Sequence, residues 1–587
     1  MMGEVVSYER GRVRRLFRPR LILPIALGVL TAASDEVSIN AGRLSLSDPA
    51  LYAKCLLFST LFIILFVLLD SLLSKTWPSY IKKGSRIPKS KFDKLIYEVF
   101  DNFTYTRKSF IISFICIMLC WIPWLIMLSP GVYWSDTSTE LIQYYGGEAL
   151  TDHHPVLCTL IYGWFSDIGS KVFGSQSAGL FLLSVMQVVC ASALFAALII
   201  QLCDMGVSAK CGMAMLAFVA LFPFFPVMFV SIVKDTLSAI PFLVFSILYL
   251  KIININNFIQ LKKWQIVVFL LSIVLTALTK KTMPYIVIPA TISLVFLRGN
   301  VRASRIAIAC VAVVAALICF VAVPKFLLPT LGAAPGGKQE AIATLIQQVA
   351  HDVVFDGADM NDSEKEIVDD FLLIDYQDIP EKYNFEIVDE IKGRQLNNES
   401  RFWDFVTLWC KKTLQDPLGH FEAWLGLTHG WFGFRNADAT PSYMIVCTES
   451  SWYYDPVLQY VDWPQPDQMS EFARALYDSI QSIPVVNVLF YRSTWASVIP
   501  TFLLYYAMKR RTGVLTRIVI IMPVLLSAMT LALTPVSGTG GEPTRYLLQI
   551  VCLAPFLLAL LSCIELAEEK RTMRVGRTSA AHYPRLK

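Results

Sequence analysis

A chain of 587 residues would suit about four average domains, yet 55% of it is hydrophobic, only 17% is charged, and its mean hydropathy is +0.54. Soluble domains run at about 45–50% apolar and about 25% charged, so a water-soluble globule is excluded, as are disorder, coiled coil, collagen and a disulfide miniprotein. The net charge of +5 is unevenly spread: residues 330–483 hold 26 acids and 10 bases, about −16, which leaves about +21 on the remainder.

In chain order, the first signal is basic: Arg10, Arg12, Arg14, Arg15, Arg18 and Arg20 precede a short apolar run at 21–33. This reads as a signal anchor, with a cleaved signal peptide as the alternative. Apolar runs follow at 51–73, 109–128, 178–202, 211–232, 237–253, 264–278, 283–297, 306–328, 485–508, 518–533 and 546–564. The chain therefore reads as an all-α polytopic membrane protein with about twelve transmembrane helices. Alternate gaps are basic: Lys82/Lys83/Arg86/Lys89/Lys91, Lys210, Lys251/Lys262/Lys263, Arg298/Arg302/Arg305, Lys509/Arg510/Arg511, then Lys570, Arg571, Arg574 and Arg577 in the tail. The positive-inside rule then puts both termini in the cytoplasm and the acidic segment outside. The basic excess is thus a topology signal and gives no support for nucleic-acid binding.

This divides the chain into an N-terminal membrane region, 1–329, of about nine helices, with a long outer loop at 129–176. An acidic extracytoplasmic insertion, 330–484, reads as mostly helical and carries Trp403, Trp409, Trp424, Trp431 and Trp452. A C-terminal membrane region of about three helices, 485–566, leads to a basic cytoplasmic tail, 567–587. Cysteines such as Cys116, Cys120, Cys190, Cys310 and Cys319 lie inside apolar runs, and no CxxC or Cys/His metal spacing occurs.

Chemistry-bearing residues gather in the outer turns. The loop Ser129-Pro-Gly-Val-Tyr-Trp-Ser-Asp136-Thr-Ser-Thr-Glu140 ends one helix and starts another, with Ser135 or Asp136 as a cap and Glu140 completing an acidic first turn. The same Asp136 is a carboxylate at the membrane face, suited to act as a base or a metal ligand. Further on come Asp152, His153 and His154, followed by an apolar stretch at 156–165 too short to span. Cations are normally depleted from outer loops, yet Lys234-Asp235, Lys280-Lys281 and Arg545 fall there, Arg545 after Gly538-Thr-Gly-Gly-Glu542-Pro-Thr. Local pairing, Lys234 with Asp235 and Arg545 with Glu542, is one explanation. A lipid-linked phosphate or diphosphate is the other. His420, His429, Trp431 and Arg435 fit either a sugar-binding face or a packed core. No Walker motif, HExxH or GxSxG elbow is present.

On Trp134-Ser135-Asp136, Asp152-His153-His154-Pro155, Lys280-Lys281 and Arg545-Tyr546-Leu547-Leu548, the chain resembles the GT-C class of integral-membrane glycosyltransferases, in layout over about residues 109–566. The resemblance implies a GT-C-like helical bundle that moves a sugar from a polyprenyl-phosphate or diphosphate carrier to an outer-face glycan, lipid or protein acceptor at the plasma membrane. It implies Asp136 as catalytic base, with His153 or His154 in reserve. Asp152, Lys234, Asp235, Lys280, Lys281, Glu542 and Arg545 would then hold the substrate and its phosphate, and a divalent cation, Mg²⁺ or Mn²⁺, is admitted at Asp136. Departures are that Ser135 stands where the family carries a second acid, two extra helices precede the loop, and the soluble unit is inserted, not appended. The alternatives are a transporter or flippase, a polymerase or ligase of lipid-linked glycans, and a non-catalytic scaffold.

Overall fold

In a computed structural model the described residues are 79% helical. The described residues are 19–76, 107–255, 257–297, 301–355, 359–448, 455–462, 467–509, 513–533 and 542–563. The arginines before Arg20, the basic stretch 82–91, Arg298, the glycine-rich turn 538–541, the Glu542 side chain and the basic tail lie outside them.

Among the described residues, eight helices are long and apolar enough to cross a bilayer. They are α1 (Ile22–Ile39), α2 (Pro49–Thr76), α3 (Arg107–Met127), α6 (Gln176–Asp204), α9 (Lys234–Ile255), the Arg302–Thr330 helix that begins with α12 (Arg302–Leu317), α18 (Val514–Leu533) and α19 (Pro543–Cys563). A bent pair, α7 (Ala209–Leu221) and α8 (Phe224–Val230), makes a ninth if counted as one span. α10 (Lys263–Thr279) and the Pro284–Phe296 segment that begins with α11 (Pro284–Ser293) are apolar but shorter. The run at 485–508 is divided into a 3₁₀ turn (Val486–Phe490), a π turn (Thr494–Val498) and α17 (Ile499–Ala507). These apolar helices make the chain a multi-pass membrane protein.

The bend between α7 and α8 has a local cause. Pro223 and Pro226 carry no amide hydrogen, so the ladder cannot run through them, and the axis turns by 54°. The bend is packed against α3: the Trp121 ring stacks on Phe229 at 5.6 Å and its Nε1 donates to Val219 O at 3.0 Å. Close helix approach elsewhere relies on small residues, as expected where lipid supplies no hydrophobic drive. α5 (Val156–Phe173) meets α6 at Gly169 and Gly179, where a Cβ on either would overlap the other's backbone.

Two further helices complete the part that positions the site: α4 (Ser135–Tyr144) and α5. Just before α4, β1 (Val132–Tyr133) pairs in parallel with β2 (Ser231–Ile232), the non-helical link between α8 and α9. The link's carbonyls find side-chain partners. Ser184 Oγ donates to Val230 O, Gln187 Nε2 to Phe229 O and Ser231 O, Thr137 Oγ1 to Ile232 O, and Thr236 Oγ1 to Met228 O. Unpaired backbone in an apolar setting costs several kcal/mol per group, so these four side chains make the interruption tolerable.

The acidic segment begins with α13 (Ala343–Phe355), α14 (Asp362–Phe371), α15 (Phe402–Gln415) and α16 (Pro417–Phe432). Ile346, Val368, Phe371, Phe405 and Leu427 form an apolar core of its own. Its second half joins the main core through Trp431, Met444 and Tyr477. α16 docks on the membrane part, with Trp424 Nε1 donating to Ala532 O at 2.8 Å and Thr31 Oγ1 to Phe432 O at 3.0 Å. Asn361 and Asn398, which match glycosylation acceptors in sequence, use their side chains to cap α14 and a 3₁₀ turn. His420, His429 and Trp431 are 1–2% exposed and serve packing; only Arg435 faces outward.

Candidate functional site

The β1–β2 pairing sets the geometry. Asp136 lies three residues past Tyr133, and Lys234 lies two past Ile232, so the register Tyr133↔Ile232 carries them to the same place. Asp136 Oδ2 is 2.7 Å from Lys234 Nζ and 2.8 Å from Arg545 Nη2. Asp136 is therefore not the helix cap that its position suggests. Trp134 occupies the cap position of α4, and the Asp136 carboxylate reaches across to two other helices.

The neighbouring charges interlock. Lys234 Nζ donates to His154 Nδ1 at 3.0 Å, which leaves the ring hydrogen on Nε2. Asp235, with no exposure, sits 2.5 Å from Lys280 Nζ through Oδ1 and 3.5 Å from Arg545 Nε through Oδ2. Lys280 Nζ also donates to Gln549 Oε1 at 3.2 Å. Lys280 Nζ and the Arg545 guanidinium each lie 5.2 Å from the Tyr546 ring centroid. The guanidinium lies 5.6 Å from the Trp134 ring. Toward solvent, Lys281 pairs with Asp152 at 3.1 Å. A parallel bridge from Thr151 to Ala334 ties that loop to the start of the acidic segment.

Of the residues singled out in sequence, Asp136, His154, Lys234, Asp235, Lys280 and Arg545 thus form one connected array, Asp152 and Lys281 form a separate pair, and exposed His153 packs edge-on against His154 at 4.6 Å. The local pairings expected as an alternative do not form for Lys234, which takes Asp136 in place of its neighbour. Glu542 lies in the turn Glu542–Leu547, with its side chain outside the described residues. A divalent cation does not fit at Asp136. The oxygen it would need is held by Lys234 and Arg545, and a third positive centre there is repelled by both.

Burial raises the Asp136 carboxyl, but the Arg545 and Lys234 cations beside it outweigh this and hold it well below the usual carboxylate range. Glu140, four residues on and hence on the same helix face, is fully buried, and neither of its oxygens has a hydrogen-bond partner. Burial pushes its carboxyl well up, more than the Lys234 charge brings it down. Burial, then the Lys234 charge, pushes the His154 imidazole well down. At neutral pH the array therefore holds ionised Asp136 and neutral His154, while burial disfavours the charged form of Glu140.

A raised carboxyl stabilises the fold fully below its unfolded value, and that contribution is lost as pH rises through the folded value. Wild-type protein should lose thermal stability as pH climbs above the ordinary carboxylate range toward the raised folded value, and Glu140→Gln should flatten that loss. Unfolding midpoints in detergent across the series check this. Identical slopes for the two proteins would mean that Glu140 is not the group responsible.

Beside the array lies a cavity of ≈ 220 Å³ bordered by His153, Lys234, Lys280, Lys281, Lys392 and Tyr546. It is smaller than the roughly 300 Å³ of the smallest drug-sized pockets, which suits a head group. Lys392 comes from the acidic segment, held by Glu340 at 2.6 Å and Asp389 at 2.9 Å. Sequence reasoning missed Lys392, Glu340 and Gln549 as site residues and saw Glu140 only as a helix-start acid. The four-residue spacing from Asp136 was the available signal for Glu140. Nothing local marks Lys392.

The sequence model of a family described as of unknown function, DUF6020, matches residues 146–577. No curated protein and no solved structure matches the chain.

Proposed function

The chain belongs to the DUF6020 family, and on that footing we propose that it is a membrane glycosyltransferase of GT-C type, moving a sugar from a polyprenyl-phosphate or diphosphate carrier to an outer-face acceptor. The observation that carries the reading is the charge count of the array. Lys234, Lys280 and Arg545 share two carboxylates, Asp136 and Asp235, in the ion pairs of the array, while burial raises the Glu140 carboxyl and disfavours its charged form. One positive charge is left over, next to a lysine-lined cavity of head-group size. A carrier phosphate meets that need, and charge-assisted bonds from Arg and Lys are the strong kind.

In this reading the acceptor hydroxyl attacks the anomeric carbon, its proton passes to Asp136, and the carbon–oxygen bond to the carrier breaks with the electron pair leaving on the phosphate. Lys234 and Arg545 stabilise the departing charge. An arriving phosphate also shares these two cations with Asp136. This relieves the pairing that keeps the carboxylate a weak base and brings its basicity toward what proton transfer needs. The finer layout belongs to the same proposal: about twelve spans, both termini cytoplasmic, the acidic segment outside, in the plasma membrane.

A transporter or flippase of lipid-linked glycans is the second reading, favoured by the broken span at α7–α8, since transporters build their sites on interrupted helices. A polymerase or ligase would share the carrier chemistry and differ in acceptor. The test is purified protein in liposomes, offered a panel of polyprenyl-linked sugars, with mass spectrometry of released carrier. Sugar-dependent release is expected. No release from any donor, together with transbilayer movement of a labelled carrier, would replace this reading with the transporter.

A further inference from the structure

Away from that array, the acidic segment holds a second cluster, where the middle of α13 meets the start of α16. His351 and Asp352 on α13 and Asp416 before α16 each offer a donor atom, and the three lie within 4.8 Å of one another. His351 is 1% exposed, and neither of its ring nitrogens forms a hydrogen bond. Asp352 is equally buried; its Oδ2 accepts from His420 Nε2 at 2.8 Å while Oδ1 has no partner. Asp416 Oδ1 caps α16 by accepting from Gly419 N at 2.9 Å, which leaves Oδ2. Buried polar groups are rarely left unsatisfied, and here an imidazole and a carboxylate are unsatisfied together.

The space between them is kept open. A Cβ on Gly419 would overlap Asp416 Oδ2 and lie 3.1 Å from His351 Nδ1. The far side of the ring, Nε2, is 3.5 Å from Glu422 Oε2, and that carboxylate is held by Leu44 N at 2.7 Å and lies 3.8 Å from Arg43. A ring with one nitrogen toward a carboxylate and the other toward free donors is the outer support that metal-bound histidines use. Half-buried Asp416 gives an entry path.

We propose that His351 Nδ1, Asp352 Oδ1 and Asp416 Oδ2 bind a divalent transition ion that clamps α13 to the start of α16. An imidazole with two carboxylates suits Zn²⁺ or its neighbours; Ca²⁺ and Mg²⁺ prefer all-oxygen sets. The ion is structural, and it is independent of the glycosyl-transfer reading.

The test uses tag-free full-length protein in detergent, stripped with EDTA and titrated with Zn²⁺ and with Co²⁺. About one ion per chain is expected, with visible Co²⁺ absorption bands and a Tm rise that EDTA reverses. Asp416→Asn keeps the helix cap through its own Oδ1, so the metal-free Tm should hold while zinc affinity falls ~100-fold or more; Glu422→Gln should cost ~10–100-fold. Substoichiometric zinc in the wild type, or equal zinc retention in Asp416→Asn and His351→Gln, would overturn the site and leave buried water as its occupant.

Discussion

Asp136→Asn is expected to reduce carrier release by ~10²–10⁴-fold, the range that a positioned acid–base group supplies. The asparagine keeps the shape and one hydrogen-bonding oxygen but cannot accept a proton. It also removes the carboxylate that lies within 3 Å of both Lys234 and Arg545, so the array loses one negative charge. Donor binding should therefore tighten or hold while turnover collapses, a split between KM and kcat that unfolding would not produce. Comparable losses in both would mean that Asp136 acts by holding the array together. Full activity in Asp136→Asn would remove the carboxylate from the chemistry altogether.

Lys280→Met carries the largest expected stability effect. Asp235 has no exposure and Lys280 is 7% exposed, so losing the ammonium 2.5 Å from Oδ1 strands a buried charge. Among the described residues the other cation paired with it is Arg545, through Nε at 3.5 Å, and Arg545 is shared with Asp136. Breaking a buried pair costs about 3–5 kcal/mol, whereas replacing both members by apolar residues is often neutral. Lys280→Met should accordingly lower the unfolding midpoint sharply, and Lys280→Met/Asp235→Leu should recover most of it. The double variant separates structure from function. If Lys280 also faces the carrier phosphate, the recovered fold should still bind donor weakly. Full donor binding would restrict the pair to a structural role.

Much of the membrane architecture was legible because it rests on local composition. Each apolar run coincides with helical segments, and Pro223 and Pro226 fall where the 211–232 run bends before α8. The cations Lys234, Lys280 and Arg545 stood out because outer turns normally lack them. Their partners were not legible. Asp136 reaches Lys234 only because β1 and β2 pair across about a hundred residues of chain, and no periodicity encodes that contact. Adjacency favoured Lys234 with Asp235, yet α9 points the two side chains apart, as successive helical residues must. Glu140 read as a helix-start acid because sequence shows a carboxylate and not its burial. Lys392 reaches the cavity through the folding of a separate helical unit. The division at residue 484 followed composition, whereas Met444 and Tyr477 pack into the main core.

The link between α8 and α9 has a mechanical consequence. An interruption whose carbonyls are left to water bends freely, because water exchanges partners at little cost. Here Ser184, Gln187, Thr137 and Thr236 hold the link from three sides. Bending it would break several of those bonds at once, where lipid and packed protein offer no replacement. The link is thus a fixed point, with Asp136 and Lys234 mounted on either side of it. Any conformational cycle of the protein must pivot elsewhere and carry these two residues as one rigid piece.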